Sequence, residues 1–281
     1  STPGQAYADG MRFIQFYFGL PVAMIVICMF FLPLYYKLKV YTAYEFLEQR
    51  FDVKTRTLTA GLFLIQRGLA AGITIYAPAI ILSTLLGWNL TFTNIFIGII
   101  VVLYTVSGGT KAVSVTQKQQ MMVMMGGMIL AGIIVIQMIP VSLTEALHVA
   151  GKMEKLNIVN FEFDLSDRYN FWSGFTGALF LFLSYFGTDQ SQVQRYLSGR
   201  TLTQSRMGLM MNGFLKVPMQ FIILFIGVMV FVFYQFFQPP VIFNTIQTDK
   251  LRESEYVADF NALEKEYSNI FKSKGESIDG L

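Results

Sequence analysis

The sequence predicts an all-α, polytopic membrane protein with six transmembrane helices, and three observations lead there. Of 281 residues, 54% are hydrophobic and 14% charged, a charged share well below the roughly 25% of soluble domains. The apolar residues stand in unbroken blocks that match a bilayer core of about 30 Å, which takes about 20 residues of helix. The basic residues gather in short segments between the blocks. Unpaired backbone groups are costly in hydrocarbon, so blocks of this length are expected to be helices.

The first block runs from about Met11 to Tyr36 and contains Pro21, which removes an amide donor and predicts a kink. The second covers about Leu58 to Leu86 and the third about Thr91 to Val106. Gly108-Gly109 then reads as a tight turn into the fourth block, about Gln120 to Ile139. Its methionine run, Met121 to Met128, suits adaptable packing better than metal binding. Ser142 to Leu156 reads as a surface helix with Leu143, Leu147, Ala150 and Met153 on one side. The fifth block, about Asn170 to Gly187, is short and passes into the polar run Ser184 to Gln190, which continues helically to Leu197. The sixth spans about Met207 to Phe237 and contains Pro218. After Pro239-Pro240 the chain turns polar and acidic, with an amphipathic helix expected around Tyr256 to Phe271. The expected division is a membrane part, 1–238, and a polar, partly helical extracytoplasmic loop, 239–281.

Loop charge sets the expected orientation. Lys37, Lys39, Arg50, Lys54 and Arg56 follow the first block, whereas Gly87-Trp88-Asn89 carries no charge. Lys111 and Lys118 follow the third block, and Arg195, Arg200 and Arg206 the fifth. The alternation fits the positive-inside rule and places Ser1 and Leu281 outside a multi-pass cell-membrane protein. The chain opens on Ser-Thr-Pro-Gly, with no initiator Met or signal-peptide pattern, and reads as part of something longer.

Several function classes drop out. The net charge of +3 is spread over loops and makes no nucleic-acid stripe. Cys28 is the single cysteine, so there is no internal disulfide and no zinc spacing. His148, the single histidine, sits in the segment after the fourth block, where a solvated or capping role is expected. There is no metal-ligand spacing, phosphate loop or nucleophile–histidine pair. Neither an enzyme nor a resident cofactor is expected.

Polar residues within the apolar blocks carry the functional reading, because charge at bilayer depth is costly. Gln66-Arg67 interrupts the second block. Arg67 reads either as a two-pronged partner for a solute carboxylate or as a snorkelling or internally paired arginine. Lys216, a third of the way along the sixth block, has the same two readings, a site lysine or a snorkelling one. At Ser184-Tyr185-Phe186-Gly187-Thr188-Asp189 a helix broken in mid-membrane would leave carbonyls and amides able to hold ions or polar solutes; the alternative is an ordinary helix end.

Three ordered stretches resemble the sodium:solute symporter family over nearly the whole chain to about Phe237. Tyr41-Thr42-Ala43-Tyr44-Glu45-Phe46-Leu47-Glu48-Gln49-Arg50-Phe51 is similar to its Y-T-x-x-E-F-L-E-x-R-F loop. Ser107-Gly108-Gly109-Thr110-Lys111-Ala112-Val113 is similar to its G-G-x-x-A-V turn, and Gln190-Ser191-Gln192-Val193-Gln194-Arg195-Tyr196-Leu197 to its N/D-Q-x-x-x-Q-R-x-L segment. Ile75-Tyr76-Ala77-Pro78-Ala79 resembles the monocarboxylate, multivitamin and iodide branch.

The resemblance implies a partial leucine-transporter-type inverted-repeat fold, the six blocks being core helices two to seven and 1–8 the outer end of core helix one. It implies sodium-coupled uptake of a small solute, anionic by the branch, with sodium as coupling ion and the lipid bilayer and solute as partners. By the same resemblance Tyr185 is the inner-gate tyrosine, Phe186 the aromatic beside it and Lys216 the substrate-side lysine; Gln66 and Arg67 join them as solute contacts. Thr116, Gln117 and Asp189 fall on the ion pathway. Gln117 stands where the family often has Asp, which favours a single sodium, and Phe182 replaces the polar side chain of the galactose carriers, which argues against a sugar. The main sodium site would draw on core helices one and eight, so it would be incomplete in this chain. The alternative is a solute-sensor domain on the same scaffold.

Overall fold

Every regular element that the computed structural model describes is helical. Residues 2–38, 40, 42–164, 166–167, 169–199, 201–243 and 245–279 are described. Ser1, Lys39, Tyr41, Arg200 and Leu281, which carried part of the sequence reading, lie outside them, as do the side chains of Thr110, Lys111 and Ala112. The chain divides into two compact units, Ser1–Gln66 with Val141–Val232 and Arg67–Pro140 with Phe233–Leu281.

In the first unit, one apolar column runs from Thr2 to Leu38 and is built in pieces. They are α1 (Thr2–Asp9), a 3₁₀ turn (Gly10–Ile14), α2 (Gln15–Val26), a π-helical turn (Ile27–Phe31) and α3 (Leu32–Leu38). The column starts well before the expected Met11, because the polar Thr2–Asp9 stretch is helical too. The short α4 (Ala43–Arg50) opens on Thr42, whose side chain accepts the Glu45 amide. Next comes α5 (Val53–Leu86). It begins five residues ahead of its apolar block because Asp52 caps it, accepting the Thr55 amide at 2.7 Å and the Thr55 hydroxyl at 2.6 Å, a device that hydropathy does not register.

Helices α6 (Leu90–Gly109) and α7 (Val113–Met138) meet at a sharp kink. Gly109 sits there at φ 55°, ψ −156°, a conformation a side chain resists, as expected of the glycine pair. Helix α8 (Leu143–Lys152) has a full capping box between Ser142 and Glu145. Its buried side is Ala146 and Ala150, with Leu143 46% exposed, so the face is rotated from the one expected: the small residues, not the leucines, allow the closest packing.

The fifth block becomes α9 (Phe171–Gly187), whose 17 residues make it shorter than the five helices that, among the described residues, are long and apolar enough to span a membrane. After Thr188-Asp189 the chain restarts as α10 (Gln190–Leu197), then α11 (Leu202–Phe236). The acidic end carries α12 (Thr245–Arg252) and α13 (Val257–Asp279).

Within the first unit the principal packing is α2 along α9. A Cβ on Gly19 would lie 2.8 Å from both the Leu179 amide nitrogen and the Phe175 carbonyl oxygen, so the two backbones nearly touch there. Leu20, Met24, Ile27, Phe186, Val193 and Leu209 form the core of the unit. Gln15 is fully buried and ties the column to the segment before α9: its Nε2 donates to the Tyr169 carbonyl at 2.8 Å and its Oε1 accepts the Asn160 amide at 3.1 Å. The spans differ in kind. The most apolar windows of the Thr2–Leu38 and Leu202–Phe236 spans are 39% and 33% buried, against 6% for α5, α6 and α7. Helices apolar all round with so little protein cover suit a hydrocarbon surrounding.

Candidate functional site

The break after α9 organises the site. An α-helix ends with carbonyls that lack an intrahelical donor. Thr188 closes the last turn through its amide on the Ser184 carbonyl at 3.0 Å. Asp189 then leaves the helical path and caps α10, accepting the Ser191 amide at 2.9 Å and hydroxyl at 2.6 Å. The next carbonyls are taken by phenols: Tyr196 donates to Phe186 at 3.0 Å and Tyr35 to Gly187 at 2.8 Å, both buried bonds. The break is therefore a closed joint, and the carbonyls of Phe186 and Gly187 are already engaged.

Two cavities flank this joint. The first, of about 520 Å³, is lined by Tyr185, Phe186, Gln192, Arg195, Asn212 and Lys216, among others. The fold-back of α10 and α11 brings Lys216 to the same space as the two aromatic residues of α9. Phe186 is buried and Tyr185 39% exposed; their rings meet edge-on at 5.0 Å. The Tyr185 hydroxyl accepts from Gln192 Nε2 at 2.8 Å, which orients the ring across the cavity wall. Lys216 Nζ stands 6.0 Å from the centre of the Tyr17 ring on α2, a cation–π distance. Among the described residues no carboxylate lines this cavity, whereas Lys216 and Arg195 do.

The second cavity, of about 470 Å³, has Tyr185 as a wall as well, with Gln66, Ser184, Thr188, Asp189 and Tyr44 among its lining. Gln66 and Asp189 thus share a space with Tyr185 but do not line the first cavity. Arg67 is half-buried on α5, at the start of the second unit. Thr116 and Gln117 are on α7 of that unit, where the Thr116 hydroxyl donates to the Val113 carbonyl at 3.0 Å and Gln117 lines a separate pocket with Lys118 and Met121. No three His, Cys, Asp or Glu side chains among the described residues could share a metal ion.

Reading by residue type missed Arg195, Gln192 and Asn212. Arg195 had counted as a loop charge; its position four residues ahead of Gly199 and within the Gln-rich amphipathic turn Gln190–Leu197 was the available signal.

Comparison with known proteins agrees with this architecture. The family model described as sodium:solute symporter family matches residues 1–259. The human sodium/iodide cotransporter is 33% identical over 213 residues, 75% of this chain and 33% of its own length. Sodium-coupled monocarboxylate transporter 1 of Xenopus laevis is 34% identical over 214 residues, with 75% and 34% covered. The rabbit (Oryctolagus cuniculus) sodium-dependent multivitamin transporter is 31% identical over 242 residues, with 83% and 37% covered. The chain spans about a third of the length of these relatives. Among solved structures, the substrate-bound outward-open state of a Na+-coupled sialic acid symporter superposes with a TM-score of 0.79 at 25% identity, covering 87% of this chain and 52% of that one. The fold is accordingly part of the leucine-transporter type, and the relatives are transporters, not enzymes. This chain belongs to the sodium:solute symporter family.

Proposed function

We propose that the full-length gene product is a sodium-coupled secondary active symporter that imports a small organic anion by alternating access. The observation that carries the solute class is the first cavity, where among the described residues Lys216 and Arg195 are the charged lining and no carboxylate opposes them. A guanidinium and an ammonium lining one cavity favour a carboxylate or similar anion, the guanidinium by a two-pronged contact and the ammonium as a point charge. The similar proteins point the same way, since iodide and monocarboxylates are anions.

In this reading Tyr185 and Phe186 close one side of the solute site, Lys216 and Arg195 hold its charge, and Arg67 and Gln66 add polar contacts. Thr116, Gln117 and Asp189 belong to the sodium path, with sodium as the coupling ion. Each elementary charge moved through 100 mV supplies about 2.3 kcal/mol, enough for tens-fold accumulation. No covalent chemistry is needed. The alternating basic loops support an orientation with both chain ends outside.

The test is uptake by proteoliposomes holding the full-length gene product, with labelled monocarboxylates, biotin, sialic acid and galactose. An inward sodium gradient should drive uptake of at least one anion and of no sugar. Equal uptake with potassium or choline in place of sodium refutes symport, and uptake of galactose alone refutes the anionic solute.

A further inference from the structure

We propose that Tyr35 and Tyr196 are positioning residues for the gate: their phenols clamp the open end of α9 from two sides and so fix where the Tyr185 and Phe186 rings stand. The proposal rests on the reading of the first cavity as the solute site.

The need for the clamp follows from the break. Once Asp189 starts a new helix, no amide arrives to continue the α9 ladder onto the Phe186 and Gly187 carbonyls. In a dry setting each unmet carbonyl is unfavourable. Tyr196 reaches Phe186 from α10, and Tyr35 reaches Gly187 from α3. Both phenols are nearly inaccessible, 7% and 4% exposed, so water does not substitute for them.

The clamp is anchored in turn. The Tyr196 carbonyl accepts from the Ser205 hydroxyl at the start of α11. Ser205 Oγ lies 2.8 Å from the Tyr36 hydroxyl, which donates its one proton either to Ser205 or to the Gly199 carbonyl at 3.0 Å. Adjacent tyrosines of α3 therefore grip the joint from both ends, Tyr35 on its near side and Tyr36 through Ser205 and Tyr196 on its far side. Phe186 is the residue the clamp acts through: its carbonyl is held by Tyr196 while its ring sets Tyr185 edge-on at 5.0 Å. A shift of the α9 end shifts both rings, and with them the wall between the cavities. Phenylalanine would fill the same apolar space at either position without the hydroxyl, so the role belongs to one oxygen atom each.

The experiment uses the full-length gene product, purified in detergent, with Asn212→Cys placed in the first cavity on a background from which Cys28 and every other cysteine of the full-length protein have been removed. The maleimide labelling rate reports how open that cavity is and requires no transport, so it can fail independently of the symport reading. Tyr196→Phe and Tyr35→Phe should each change the rate by about three- to tenfold, the worth of one neutral hydrogen bond, and each should also lower the unfolding temperature, because it leaves a buried carbonyl without its donor. Tyr104→Phe, on α6, should leave the rate as it is. Rates within twofold of the parent for both tyrosine variants overturn the proposal, as does a fall in stability with no change in rate. If Tyr196→Phe does not assemble, Ser205→Ala loosens only the anchor; a smaller rate change supports the clamp, and an unchanged rate overturns it.

Discussion

The side chain of Arg206 donates from Nε to the carbonyl of Cys28 at 3.1 Å, inside the π-helical turn of the first span. In a π turn each carbonyl accepts the amide five residues on; for Cys28 that residue is Pro33, which has no N–H, so the carbonyl is open to an outside donor. The Cys28 thiol lies near the Arg206 carbonyl in return, at 3.8 Å, and the two residues bind α11 to the column. Arg206→Met should remove a charge-assisted bond and lower the stability of the purified protein by about 1.5–3 kcal/mol, with Arg206→Lys in between. Denaturation midpoints that match the parent for both variants would show the contact to be dispensable.

Lys216 is expected to bind solute rather than to hold the fold. Its replacement by Met should weaken binding of the transported anion by about ten- to a hundredfold, the range of hydrogen bonds to charged groups, while Lys216→Arg should keep most of the affinity. Scintillation-proximity binding with the labelled anion decides it. An unchanged affinity in Lys216→Met would return the lysine to a snorkelling role.

Arg67 has a similar test with a different comparison. If it meets the solute as a fork, Arg67→Gln should reduce affinity by about tenfold and Arg67→Lys by less. Equal, negligible effects on the same binding isotherms assign it to packing.

The contact of α2 with α9 predicts a steric penalty. At Gly19 a methyl group would stand 2.8 Å from backbone atoms on α9, and backbone cannot swing aside as a side chain can. Gly19→Ala should cost about 1–3 kcal/mol and Gly19→Leu should fail to assemble. Gly61, which has open space around it, is the control: Gly61→Ala should be neutral or slightly stabilising, since alanine favours helix.

Much of the fold could be read from composition because the solvent selects it. A block such as Leu90 to Gly109 has one stable solution in hydrocarbon, and the glycine at its end marks the kink. The ends of helices were less legible, since Asp52 and Ser142 act through single bonds to amides that leave no trace in hydropathy. In the site, Tyr185 and Lys216 were accessible through the family resemblance. Arg195 stands within one of the resembling stretches but reads by residue type as a loop charge, and Asn212 stands in none; their place in the cavity comes from the fold-back of α10 and α11. Tyr35 and Tyr196 were further from reach: their partners are main-chain carbonyls, which every residue carries and no sequence distinguishes.

Helix α8 predicts a pH effect. The Ser142 hydroxyl and amide bond the Glu145 carboxylate and hold it below the usual carboxylate range. A lowered carboxyl favours the folded cap above the unfolded value of about 4.3, and the benefit is lost as pH falls through the folded value. Amide exchange in the first turn, corrected for its intrinsic rate, should therefore rise between about pH 5 and pH 3. Glu145→Gln should exchange faster at neutral pH and show no such rise; a flat profile in the parent would mean the cap adds nothing.

Tyr185 belongs to the walls of both cavities. One aromatic ring thus serves as shared masonry, and a rotation of it is felt in both chambers, so neither can be reshaped there without the other.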